Sequence, residues 1–247
     1  MRMEKTALIT GASRGIGRET ALKFWREGFR VAVNYCRSEG PAGEFVRELN
    51  RLRPGSALAV GADVSQKGQV AEMFRRTEEE LGPVEVLVNN AGIAQQKLFT
   101  DLTEEDWDRM FTVDVKGMFL CCQAALPGMI RRKRGKIVNI SSMWGQVGAS
   151  CEVHYSAAKG AVIAFTKALA QEVGPSRIQV NCVAPGVIDT EMNGALPPDA
   201  MDALREETPL GVLGQPSDVA EAVWFLASPQ SDFITGQVLA PNGGLVL

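Results

Sequence analysis

The stretch LITGASRGIG, residues 8–17, decides the fold, because a short apolar run breaks there into Gly11, Gly15 and Gly17. IGRETALKFWREG follows with apolar spacing of about 3.6, so a strand is predicted to turn directly into a helix. The first turn of a helix presents free N–H groups and partial positive charge, and glycines remove the side chains that would hold a pyrophosphate away. The turn suits a dinucleotide, with Ser13, Arg14 and Ile16 beside the three glycines. Its spacing is G-x-x-x-G-x-G rather than G-x-G-x-x-G, and glycines after a strand also make plain tight turns, so the remaining chain has to supply context.

The next strand runs out as VAVNYCRSEG, with Asn34, Arg37 and Ser38 and no carboxylate before Glu39. An enzyme binding NAD would carry an acidic group for the ribose 2′-hydroxyl about 20 residues beyond the glycines. Arg14 and Arg37 would instead pair with a 2′-phosphate through their planar guanidinium groups, which favours NADP(H) over NAD(H). The competing reading is two solvated surface arginines.

KTALIT, FRVAVN, SALAVGADV, VEVLVNNAG, GKIVNISS, RIQVNCVAPG and QVLAPNGG all read as strands, alternating with helix-length amphipathic stretches such as QVAEMFRRTEEELG. This alternation along 247 residues predicts one α/β domain, a doubly wound parallel sheet of Rossmann type with helices on both faces. The long irregular segment 187–219 is read as an insert shaping a binding site, and its Met192, Leu196, Pro197 and Met201 as an apolar lid. A net charge of −3 offers no general attraction to nucleic acid or an anionic membrane. The N-terminus lacks a signal-peptide core, and no segment resembles a membrane span, so a cytoplasmic location is expected. Five cysteines without C-x-x-C spacing suggest free thiols, and one histidine leaves little for a metal site.

The ordered pieces TGASRGIG (10–17), DV (63–64), NNAG (89–92), NISS (139–142), YSAAK (155–159), PG (185–186) and ITGQVLAPNGG (234–244) resemble the short-chain dehydrogenase/reductase family, most closely its 3-oxoacyl-[acyl-carrier-protein] reductase branch. The resemblance implies that Asp63 and Val64 hold the adenine end of the cofactor and that Asn90, Ala91 and Gly92 line its central channel. It further implies Pro185, Gly186, Ile188 and Thr190 against the nicotinamide, seven parallel strands, and a homotetramer.

Reducing a carbonyl requires a proton at oxygen as hydride reaches carbon, and Tyr155 has that proton. Its ordinary pKa of about 10 calls for a nearby cation. Lys159, one helical turn on, shares its face and would favour the phenolate, and both residues would border the cofactor. Ser142, at a strand end, would hydrogen-bond the carbonyl oxygen; the family resemblance selects it over Ser141. His154 points about 100° away from its neighbour and is read as packing. The family usually has asparagine where this chain has Asp114 in FTVDVKGMF. A carboxylate there would accept hydrogen bonds from a proton-relaying water, disfavour phenolate, or pair with Lys159. The cluster RRKRGK, residues 131–136, reads either as a solvated helix end or as a dock for an acidic acyl carrier protein. Three functions stay open: reduction of a 3-oxoacyl thioester with NADPH; oxidation or reduction of a sugar, steroid-like alcohol or small ketone; and dinucleotide sensing or scaffolding with weak catalysis.

Overall fold

The computed structural model describes residues 5–191 and 198–247, so Met192, Leu196 and Pro197 of the expected lid lie outside the described residues. Seven strands form one sheet: β1 (Thr6–Ile9), β2 (Arg30–Tyr35), β3 (Ala57–Gly61), β4 (Val84–Asn89), β5 (Gly135–Ile140), β6 (Ile178–Val183) and β7 (Val238–Leu239). Their order is β3-β2-β1-β4-β5-β6-β7, with every pairing parallel. The chain leaves β1 in one direction and resumes at β4 in the other. The strand order reverses between them, and ligands of open parallel sheets bind at the carboxyl side of such a point.

The helices are α1 (Gly15–Arg26), α2 (Glu39–Leu52), α3 (Lys67–Leu81), α4 (Glu104–Phe111), α5 (Gly117–Arg132), α6 (Trp144–Val147), α7 (Val153–Val173), α8 (Pro198–Glu207) and α9 (Pro216–Ala227). They cover both faces. Leu8 and Leu87 join Met73 of α3, Met129 of α5 and Val162 of α7 in one core. Ala7, Ile9 and Val88, on the opposite side of the same strands, join Phe24 of α1, Phe45 of α2 and Val223 of α9 in the other. A strand buried on both faces has no polar side to show, which is why these runs are continuous rather than alternating. On the second face Phe24, Phe29 and Trp224 meet edge to face, with centroids 5.3–5.7 Å apart.

Two local features bear on the helices near the site. Helix α9 is capped by Gln215: Pro216 fills the first helical position, and the Asp218 carboxylate accepts the Gln215 N–H at 2.7 Å. Between α4 and α5, Thr112–Lys116 form a π-helical turn, joining the two helices into one rod. That rod, Glu104–Arg132, is the one described helical stretch with the length and apolarity to cross a membrane, and half of its apolar window is buried inside the fold.

Candidate active site

Thr10 organises the glycine turn. Its hydroxyl donates to the Val88 carbonyl at 3.3 Å and accepts the N–H groups of Asn90 and Ala91 at 2.9 and 3.0 Å. Asn90 Nδ2 donates back to the carbonyls of Thr10 and Gly11 at 2.9 and 3.0 Å. The turn after β1 is thus clamped to the segment after β4, too closely for side chains: a Cβ on Gly11 (φ +61°) would lie 2.9 Å from Ala91 Cα, and one on Gly17 only 2.4 Å from the Gly11 carbonyl oxygen. Helix α1 has neither a side-chain cap nor an acidic residue in its first turn, so its leading N–H groups are left for an anion. A closely approached backbone and an uncapped helix start fit a dinucleotide pyrophosphate.

A cleft of about 520 Å³ opens here. Gly11, Ser13, Arg14, Gly15, Ile16 and Gly17 form one wall; Asn34, Arg37, Ser38, Asp63 and Val64 edge the far end, and Asn90, Ala91 and Gly92 the middle, with Thr190 opposite. Within this lining Asn34 departs from its expected role. It is 1% exposed, its Oδ1 accepts the Gly11 N–H at 3.1 Å, and its Nδ2 donates to the carbonyls of Val60 and Ala62 at 3.2 and 3.1 Å. The amide is spent on holding the turn and has no donor to offer a ribose. Arg14 and Arg37 are exposed, and Arg14 Nε lies 3.4 Å from Glu191 Oε2, a solvent-screened pairing that a phosphate can displace. Arg109 of α4 lines the same cleft, a third guanidinium missing from the sequence reading because nothing local marks it.

Through Ile16, Asn90, Gly92, Ile93 and Thr190 this cleft continues into a second of about 620 Å³, bordered by Ser142, Tyr155, Lys159, Pro185, Gly186 and Ile188. Four elements converge here: the end of β5 brings Ser142, α7 brings Tyr155 and Lys159, the segment after β6 brings Pro185–Ile188, and α8 closes one side with Ala203 and Leu204. Ser141 and Ser142 have separate tasks. Ser141 donates to the Lys159 carbonyl at 2.8 Å and is structural, whereas the Ser142 hydroxyl accepts the Trp144 N–H at 3.2 Å and lies beside the Tyr155 phenol, drawing its pKa down.

Lys159 Nζ lies 2.9 Å from Asp114 Oδ2, with side-chain exposures of 7% and 0%, and 5.5 Å from the Tyr155 ring centroid. It donates to the Ile140 carbonyl at 3.3 Å, and the Ile93 N–H donates to Asp114 Oδ1 at 2.9 Å. Burial works against the ammonium, but the charges of Asp114 and Tyr155 and the Asp114 contact outweigh it and push its pKa up to about 12. The Tyr155 phenol is raised above the ordinary tyrosine value, first by burial and then by the Asp114 and Glu152 charges, against the opposing pull of Lys159 and Ser142. Lys159 does favour the phenolate as expected, but in the free protein burial outweighs that pull, and the Asp114 and Glu152 charges add to the rise.

His154, next to Tyr155 in the chain, is fully buried, with Nε2 3.1 Å from Gln95 Oε1. Gln95 Nε2 donates to Asp106 Oδ1 at 2.9 Å, and Lys97 Nζ sits 2.6 Å from Asp106 Oδ2. The basic cluster 131–136 lies at the start of β5, the opposite end of that strand from Ser142. Three of its side chains are engaged within the fold: Arg132 donates to the Val84 carbonyl at 2.7 Å, Arg134 pairs with Glu85, and Lys136 lies 2.8 Å from Asp232. Among the described residues no three metal-ligating side chains gather, and all five cysteines are free.

A dinucleotide-shaped turn at the sheet's reversal point, opening onto a serine, a tyrosine and a lysine, defines an NAD(P)-dependent oxidoreductase acting on CH–OH and C=O groups. The sequence model of a family described as enoyl-(acyl carrier protein) reductase matches residues 11–246. Relatives include a 3-oxoacyl-[acyl-carrier-protein] reductase of Staphylococcus epidermidis, 41% identical over 99% of this chain and 100% of that protein. Another is the Bacillus subtilis protein named uncharacterized oxidoreductase YmfI, 39% identical over 98% and 99%. The crystal structure of an Agrobacterium tumefaciens protein provisionally designated a gluconate dehydrogenase superposes with a TM-score of 0.94, at 33% identity, over 99% of this chain and 98% of that one. The chain belongs to the short-chain dehydrogenase/reductase family.

Proposed function

We propose that the protein is an NADPH-dependent reductase of 3-oxoacyl thioesters, with Tyr155 as the proton donor. The carrying observation is the convergence of Ser142, Tyr155 and Lys159 on a cleft continuous with the glycine-turn cleft. When bound, the reduced nicotinamide supplies a hydride. The Tyr155 hydroxyl gives its proton to the carbonyl oxygen as negative charge develops there, the Ser142 hydroxyl donates a hydrogen bond to that oxygen, and the buried Lys159 ammonium stabilises the tyrosinate left behind. Solvent returns the proton. Arg14 and Arg37 would take the 2′-phosphate, with Asp63 and Val64 at the adenine. The similarity to 3-oxoacyl-[acyl-carrier-protein] reductases supports the thioester. The exposed apolar residues Trp107, Phe119 and Ile130 along the α4–α5 rod support a homotetramer; a cytoplasmic location and segment 187–219 as the substrate lid complete the proposal.

One observation favours a second reading, a small neutral or cationic ketone. The mouth of the substrate cleft carries Glu152 and Glu207, its one lysine is already paired, and the basic cluster lies at the far end of β5. Loss of NADPH absorbance with acetoacetyl thioester, set against a panel of small ketones, separates the two. In either case Tyr155→Phe is expected to lose about 10²- to 10⁴-fold in turnover while still binding nucleotide, followed by fluorescence titration. Parent-like turnover in that variant would refute the mechanism.

A further inference from the structure

A lysine one turn from the reactive tyrosine stabilises phenolate only as far as its charge is uncommitted. Here it is committed. Asp114 Oδ2 sits 2.9 Å from Lys159 Nζ and, among the described residues, has no other partner; the contact is ionic rather than a well-directed hydrogen bond. The pair is almost wholly buried, Asp114 fully and Lys159 at 7% side-chain exposure, and the π turn Thr112–Lys116 brings Asp114 into it. Gly92 is shaped to admit it, since a Cβ there would lie 2.7 Å from Asp114 Oδ2 and 3.2 Å from Lys159 Nζ.

We infer that Asp114 is a positioning residue which spends the Lys159 charge on itself, so that Tyr155 stays a phenol well into alkaline solution, and carbonyl reduction runs to higher pH while alcohol oxidation waits for alkali. This rests on the oxidoreductase reading of the site and goes beyond it. The groups that face Tyr155 are few. Lys159 and Glu152 come from α7 and its start, Asp114 from the π turn, and Ser142 from the end of β5. Cys182 of β6 also faces Lys159, but burial pushes its thiol up to about 12, so it adds no charge at neutral pH. Asp114 and Glu152 hold the phenol's proton, Lys159 and Ser142 oppose them, and Asp114 acts twice: by its own charge and by occupying the ammonium.

The chain has two tyrosines, so Tyr35→Phe leaves one phenol and its ultraviolet titration reads Tyr155 alone. This requires no substrate, so it can fail independently of the proposed reaction. In the nucleotide-free Tyr35→Phe protein the midpoint is expected above the ordinary value of about 10. Adding Asp114→Asn, which keeps shape and removes charge, should lower it by about one unit or more. The alkaline limb of reductive kcat/KM should move down with it, and Asp114→Glu should restore the parent limb. A midpoint unmoved or raised by Asp114→Asn overturns the inference, as does a loss of activity with an unchanged pH limb, which is what a purely structural carboxylate would give. If Asp114→Asn fails to fold, the Tyr35→Phe protein alone decides: a midpoint below about 10 overturns it.

Discussion

Thr10 shows how one hydroxyl holds two distant segments. It accepts two backbone N–H groups from the stretch after β4 and donates to β4 itself, so Thr10→Val keeps the shape but strands Asn90 and Ala91. An unfilled buried donor costs about 1–3 kcal/mol, so Thr10→Val is expected to lower stability by that amount and weaken nucleotide binding, while Thr10→Ser stays near the parent. Thermal unfolding with nucleotide titration checks both. None of this is legible in the letter T at a strand end; the glycines that need the clamp are, because only they tolerate the approach. Asn34 shows the reverse. Its position near the end of β2 marks it for the cofactor, yet the register of β2 against β3 turns its amide inward onto Val60 and Ala62, and register is not visible in one strand alone. Tyr155 and Lys159 are legible as a pair because they sit one turn apart on a helix, whereas Ser142 is marked by its place at a strand end and told from Ser141 only by the family resemblance. The proton affinities of the pair are not legible, since Asp114 reaches them through a π turn that no apolar periodicity announces.

Helix α4 illustrates the same limit for an element. Thr103 and Asp106 form a capping box, with the Asp106 N–H donating to Thr103 Oγ1 at 3.2 Å and the Thr103 N–H to Asp106 Oδ2 at 3.1 Å, and this T-x-x-D spacing can be read from sequence. The partners that give Asp106 its importance, Lys97 and Gln95, come from the preceding irregular segment and cannot. Lys97 first, then Gln95 and the Thr103 N–H, hold the Asp106 carboxyl well below the usual carboxylate range. Because its folded value is depressed, its contribution is complete above the unfolded value of about 3.9 and is lost as pH falls through the folded one. Asp106→Asn is therefore expected to lower Tm at neutral pH and to flatten the fall of Tm in acid. Melting curves from neutral to strongly acidic pH show this; an acid limb as steep as the parent's would mean that other carboxylates govern it. Since Gln95 also hydrogen-bonds His154, the chain neighbour of Tyr155, loosening α4 should reach the active site before the sheet unfolds.

At the scale of the whole molecule, the placement of charge bears on the substrate. The chain is mildly acidic, with a net charge of −3, and its densest basic run lies at the entry of β5. Six strand residues, about 20 Å, separate that end from the serine that faces the substrate cleft. A partner docked on Arg131 and Lys133, the basic members of the cluster with neither an ion pair nor a side-chain hydrogen bond among the described residues, would have to deliver its cargo around the sheet to reach Tyr155. The rim it would meet instead carries Glu152 and Glu207. Reversing Arg131 and Lys133 to glutamate should then leave KM unchanged for a thioester on an acidic carrier protein, at low and high salt alike. Glu207→Lys should lower that KM at low salt, an effect that salt removes and that a small neutral ketone does not share, because rim charges act on encounter and are screened within about 10 Å at 0.1 M ionic strength. A carrier-specific rise in KM from the Arg131 and Lys133 reversal would instead put docking at the far end and require the acyl chain to enter from there. Steady-state kinetics with matched carrier-linked and free substrates discriminates between these geometries, because the two patches lie at opposite ends of β5.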